Sequence, residues 1–208
     1  MDFWDRLAAV AAERNVLEHS FYTRWSDGSL TREELAVYSG QYRHAVVALA
    51  AASRTAAPGA TGALREHLED HAAEEHAHVE LWDRFVAATG GDTGAEPSAE
   101  SADCAAAWEG RDRDLTSTLV ALYAIESAQP KIAEVKQQGL VEMYGFEEGP
   151  ATDYFEIHAT LDHDHAKAHR AFIEPALDGA DEDALLDAAR EVLDANWKLL
   201  DGVERLNG

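Results

Sequence analysis

The chain is poor in the residues on which several structural and functional classes depend. Of its 208 residues only Cys104 is a cysteine, so neither an intrachain disulfide nor a cysteine-rich zinc site can form. Lysine is nearly as scarce, with Lys131, Lys136, Lys167 and Lys198 the only four. Seventeen Lys and Arg stand against 40 Asp and Glu, a net charge of −23. So acidic a surface repels phosphate, which argues against nucleic acid and anionic membranes as partners. The same acidic, alanine-rich composition is that of a salt-adapted, halophile-type protein, whose self-repulsion salt screens. No stretch approaches the ~18 apolar residues of a membrane span. No basic and then apolar leader is visible either, so a soluble cytoplasmic protein is expected. There is no glycine-rich phosphate loop and no nucleophile elbow. Cys104 is expected as a small surface or half-buried residue in a loop, where a catalytic thiol would be out of place.

What is present favours helix. Alanine, leucine, glutamate and arginine dominate, while proline and glycine cluster at a few points. The pattern predicts helices over about Phe3 to Leu17 and from Thr31, whose capping box with Glu34 opens a run to about Arg54. Between them, His19 to Gly28 reads as a turn-rich segment. Further helices are predicted over about Gly62 to Thr89, through Trp108 after a loop from Asp92 to Ser101, and from Asp114 or Thr116 to about Tyr144. The last two cover about Thr152 to Ile173 and Asp181 to Leu206. No strand-type alternation or fixed repeat occurs. The expectation is one all-α domain over residues 1–208, a bundle of about seven helices with a pocket between facing helices.

Three segments carry chemistry. In His158-Ala-Thr-Leu-Asp162-His-Asp-His165, a rotation of ~100° per residue places 158, 162 and 165 on one stripe, and His169 extends it by a turn. Imidazole with carboxylate on one face suits iron, manganese or zinc, and several carboxylates favour iron. Glu126 lies in the otherwise apolar Leu119-Val-Ala-Leu-Tyr-Ala-Ile-Glu126. A carboxylate on a buried face is costly unless protonated, paired or bound to a cation. In His71-Ala-Ala-Glu74-Glu75-His76-Ala-His78-Val-Glu-Leu-Trp82, Glu75 and His78 have the i, i+3 spacing by which one helix supplies two ligands in di-iron bundles. His71 falls on the same stripe, whereas Glu74 and His76 are expected to face solvent. Each residue alone has an ordinary reading on an acidic helix surface; the combination makes a site.

These motifs resemble, in their order, the haem-oxygenase-like di-iron oxidases, whose fold is shared by TenA-type thiaminases and the PqqC quinone-biosynthesis enzyme. The likeness spans about Leu17 to Phe172. It rests on Leu17-Glu-His-Ser-Phe-Tyr22, on His78-Val-Glu-Leu-Trp82, on Tyr123-Ala-Ile-Glu126-Ser-Ala-Gln-Pro130, and on His158-xxx-Asp162-xx-His165. The resemblance implies a haem-oxygenase-like bundle with two Fe(II) ions, manganese being the alternative metal. Its ligands would be Glu75, His78, Glu126, His158, Asp162, His165 and His71. The implied reaction is dioxygen activation on a small organic substrate. Independently of the resemblance, a homodimer is the commonest assembly to expect of such a chain. Within that group the chain is most like the branch that makes p-aminobenzoate from its own tyrosine with a lysine as amino donor, which implies catalytic roles for Tyr22 and Lys136. One position departs from that branch: His71 stands where a metal-binding glutamate is expected, so either His71 or Glu75 takes its place. Tyr42 and Tyr123 would line the pocket or pack. The alternatives are a metal-free enzyme of thiamine or quinone cofactor metabolism and a non-catalytic metal-binding protein.

Overall fold

The structure, a computed structural model, describes residues 1–208. Nine α-helices and no strand make up the chain. They are α1 (Phe3–Glu13), α2 (Ser20–Ser26), α3 (Arg32–Ala56), α4 (Gly62–Thr89), α5 (Ala99–Glu109), α6 (Leu115–Glu126), α7 (Gln129–Glu142), α8 (Asp153–Ala176) and α9 (Glu182–Asn207). The all-α reading holds, and three boundaries differ for local reasons. The first helix stops at Glu13, because the Asn15 side chain accepts from Leu17 N–H and turns Val16–Glu18 into a single 3-10 turn. The segment expected as turns forms α2, because His19 Nδ1 accepts from the Phe21 N–H and caps it. The long helix expected to Tyr144 is broken after Glu126: Pro130 has no N–H, and its ring excludes the carbonyl four residues back. That break leaves Glu126 as the last residue of α6.

The Thr31–Glu34 capping box is present, each side chain accepting from the other's backbone N–H at 3.1 and 2.7 Å. One apolar cluster runs continuously from Phe3 in α1 to Val203 in α9. Helix α3 packs on α4, α5 and α9, and α8 lies against α4, α6 and α7. Three buried tryptophans tie helices together through indole N–H donors. Trp82 donates to the Ser39 carbonyl at 2.8 Å, Trp108 to that of Val192 at 3.1 Å, and Trp25 to that of Lys136 at 3.2 Å. Cys104 is fully buried inside α5, not in a loop as expected. No helix is long and apolar enough to cross a membrane.

The α2–α7 contact matters because it sets Tyr22 beside Lys136. Gly139 makes it close: a Cβ there would lie 2.5 Å from Trp25 Nε1 and 2.6 Å from Cδ1. The fully buried indole cannot retreat. Gly139→Ala is therefore expected to lose about 1–3 kcal/mol of stability. The melting temperature should fall by roughly 2–4 °C per kcal/mol. An unchanged melting curve would show that the packing here is looser than described.

Candidate metal centre

Helices α4 and α8 run antiparallel and present matching rows of donor groups. On α4 the row is His67, His71, Glu75 and His78; on α8 it is His158, Asp162, His165 and His169. Steps of three and four residues keep each row on one face. Ring centroids pair them across the gap: His78 with His158 at 4.7 Å, His71 with His165 at 4.7 Å, and His67 with His169 at 4.8 Å. Glu126 enters from the end of α6 and touches both rows. Its Oε1 lies 2.5 Å from His71 Nε2, and its Oε2 lies 2.9 Å from His169 Nε2. Glu75 faces His78 Nδ1 at 3.1 Å and His158 Nε2 at 3.6 Å. His165 Nδ1 is 3.7 Å from Asp162 and 3.9 Å from Glu75.

All seven residues expected from the sequence therefore converge, each less than a tenth exposed. His71 and Glu75, posed as alternatives, both point inward. His169 was visible only as an extension of the α8 stripe, yet it is fully buried against Glu126. Glu74 is exposed, as expected, but its carboxylate reaches His165 Nε2 at 2.9 Å. His76 is exposed. Sequence reading missed three outer partners. His67 Nε2 meets His169 Nδ1 at 3.1 Å, Ser53 Oγ meets His71 Nδ1 at 2.8 Å, and the Tyr154 carbonyl meets His158 Nδ1 at 2.7 Å. Only His67 carried a signal, four residues before His71.

The electrostatics are those of buried opposite charges. Burial pushes the Glu126 carboxyl up, and His71 and His169 outweigh it, holding the group well below the usual range. Glu75 is likewise raised by burial but held low by His158 and His78. Burial raises Asp162. The histidines answer in kind. Burial opposes protonation of His71 and His158, yet Glu126 and Glu75 respectively raise them. His165 is raised to about 9 against its own desolvation, chiefly by Asp162. Hydrogen bonds do not satisfy the cluster. Glu75 Oε2, His158 Nε2, Asp162 Oδ2 and His165 Nδ1 are buried without a hydrogen-bond partner, and Glu126 Oε2 and His169 Nε2, 2.9 Å apart, are not aligned as a hydrogen bond. Convergent, deprotonatable N and O donors left unsatisfied together are what a divalent transition cation requires. Three triads have donor atoms within 4.8 Å of one another: Glu75–His78–His158, His71–Glu75–His165 and His71–Glu126–His169.

Beside the cluster lies an aromatic cage around Lys136. Its Nζ sits 4.7 Å from the Tyr42 ring centroid, 5.3 Å from Tyr22, 5.5 Å from Phe155, 5.6 Å from Tyr38 and 5.8 Å from Trp82. The Tyr22 and Tyr38 hydroxyls are hydrogen-bonded at 3.0 Å. Cage and cluster touch through Tyr154, which stacks on His158 at 3.9 Å and meets Trp82 edge-on at 4.8 Å. Tyr42 belongs to this cage, whereas Tyr123 is half-buried against Trp4 on the outer side of α6.

Burial alone lowers the Lys136 ammonium from 10.5 to about 7. Below pH 7 the lysine is charged in both folded and unfolded chains, so the cost of burying it is at its fullest. Above that, the folded amine is neutral while the unfolded one stays charged, and the cost shrinks until about pH 10.5. Lys136→Met should therefore stabilise the protein by several kcal/mol, since each tenfold loss of proton affinity on folding costs ~1.4 kcal/mol. The gain should be largest at or below pH 7 and vanish towards pH 10. Denaturant melts across that range would contradict this if the gain were flat or grew with pH.

Comparison with known proteins adds relatives. Residues 36–197 match the family described as iron-containing redox enzymes of the haem-oxygenase type. A protein of Chlamydia muridarum named 4-aminobenzoate synthase is 34% identical, over 97% of this chain and 89% of its own. One of the same name from Nitrosomonas europaea is 33% identical, over 97% of this chain and 90% of its own. Among solved structures, a haem-oxygenase-like domain of unknown function from Shewanella denitrificans superposes with a TM-score of 0.86, over 100% of this chain and 94% of its own, at 16% identity. A TenA homologue from P. horikoshii superposes with a TM-score of 0.81 at 16% identity, over 99% of both chains. At such identities the structural likeness speaks for the fold alone.

Proposed function

The chain belongs to the family of iron-containing redox enzymes with the haem-oxygenase fold, and from that premise we propose that it is a self-sacrificing 4-aminobenzoate synthase. Two Fe(II) ions are the metals proposed, with Glu75, His78, Glu126, His158, Asp162, His165 and His71 as their ligands. The observation that carries the metal assignment is the set of six donor atoms without an aligned hydrogen bond that converge from α4, α6 and α8. Iron bound there would supply the reduction of dioxygen.

The rest falls to the chain's own residues. Tyr22 is proposed as the source of the aromatic ring and Lys136 as the source of the amino nitrogen. Both are buried to within 1% of full enclosure. That enclosure suits a substrate supplied from within the fold. Lys136 sits over the Tyr22 ring, and a pKa of about 7 leaves a large share of its amine neutral, hence nucleophilic, at neutral pH. Burial holds the Tyr22 phenol far above its usual pKa, so it stays protonated and keeps its hydrogen bond with Tyr38. Trp82 and Tyr154 join cage and cluster by contact.

The test is direct. Protein loaded with Fe(II) without oxygen, then given dioxygen and a reductant, should release 4-aminobenzoate once per chain, lose the ring of Tyr22 and lose the side-chain nitrogen of Lys136. Glu126→Ala and His165→Ala should lose iron and product together. Tyr22→Phe should keep its iron and release nothing. Undiminished product from Tyr22→Phe would rule out self-sacrifice, and product from metal-free protein would rule out the iron reading.

A further inference from the structure

Of the eight buried donors, His169 is the one outside the ligand set proposed above. Its place in the cluster is nonetheless built. His71 and His169 approach Glu126 from opposite oxygens, each through Nε2, at 2.5 and 2.9 Å. The other nitrogen of each ring is held from outside, His71 Nδ1 by Ser53 and His169 Nδ1 by His67. His67 itself is braced by stacking on Phe172 at 5.3 Å. An outer partner on the remote nitrogen, leaving the inner one free, is the arrangement that orients metal-ligating imidazoles. His169 is fully buried and Glu126 is 1% exposed, and His169 Nε2 and Glu126 Oε2, though 2.9 Å apart, are not aligned as a hydrogen bond.

The triads also differ in what they share. Glu75–His78–His158 and His71–Glu126–His169 have no residue in common, whereas His71–Glu75–His165 borrows one from each. Two ions can therefore be held at the two ends with no donor used twice.

We propose that His71, Glu126 and His169 form a metal position of their own at the α6 end of the cluster, with His67 and Ser53 as positioning residues. Two imidazoles and one carboxylate are a donor set that would suit Fe(II). This rests on the metal reading above and moves one ion towards His169.

Metal content separates the two ideas. The native chain and His169→Gln are loaded with Co(II) without oxygen, freed of excess metal, and read by elemental analysis and visible absorbance. His169→Gln should lose one bound ion per chain and the absorbance bands belonging to it, while keeping the other. His78→Ala should lose the other ion and keep this one. If His169→Gln fails to fold by circular dichroism, His67→Ala leaves His169 in place and should weaken one ion only, by about 10–100-fold. Full occupancy and affinity in both the His169 and His67 variants would overturn this position alone. A native chain that binds no metal would sink it together with the metal reading.

Discussion

Eight ionisable side chains packed out of water between three helices are the constraint on which the rest of the structure depends. His71, His78, His158, His165 and His169 with Glu75, Glu126 and Asp162 are each at most 8% exposed. Buried carboxylates are stable only with countercharge and hydrogen bonds close by. In the protein alone the countercharge comes from His71, His158 and His165, drawn towards protonation at the cost of desolvating them. Six donor atoms still lack an aligned hydrogen bond. A divalent cation would replace those protons and satisfy those atoms at once, so metal binding and folding stability would be linked.

The surrounding architecture holds this arrangement in place. The proline-induced break between α6 and α7 ends one helix at Glu126 and starts another that carries Lys136 inward. The antiparallel course of α4 and α8 makes equal steps on two sequences face each other. Trp82 links the cluster side to the cage side by its bond to α3 and by contacts with Tyr154, Tyr42 and Lys136. A lysine among rings trades charge for reactivity, since the same burial that destabilises its ammonium frees its amine.

Much of this was legible in the sequence because helical periodicity is a local property. The stripe at His158, Asp162 and His165 and the pair Glu75 and His78 needed only residue spacing. Glu126 stood out because a carboxylate is conspicuous in an apolar run. The all-α fold followed from composition and caps. What spacing could not show was the register between helices. That register brings His169 opposite Glu126, Ser53 to His71, and Tyr154 between His158 and Trp82. The choice between His71 and Glu75 was likewise undecidable from one helix, since both lie on its inward stripe. The α6–α7 break was missed although Pro130 announced it, because the apolar pattern continues through it. Cys104 was misplaced because a single small residue carries no periodic signal.

Metal ions should lie between α4, α6 and α8. Crystals of the Fe(II)-loaded protein, with diffraction recorded on both sides of the iron absorption edge, test it most directly. Anomalous peaks are expected within bonding distance of the Glu75, His78 and His158 donors and of the Glu126 carboxylate. Iron density only at the acidic surface, or an iron-free interior with the histidines paired to carboxylates as they stand, would contradict it.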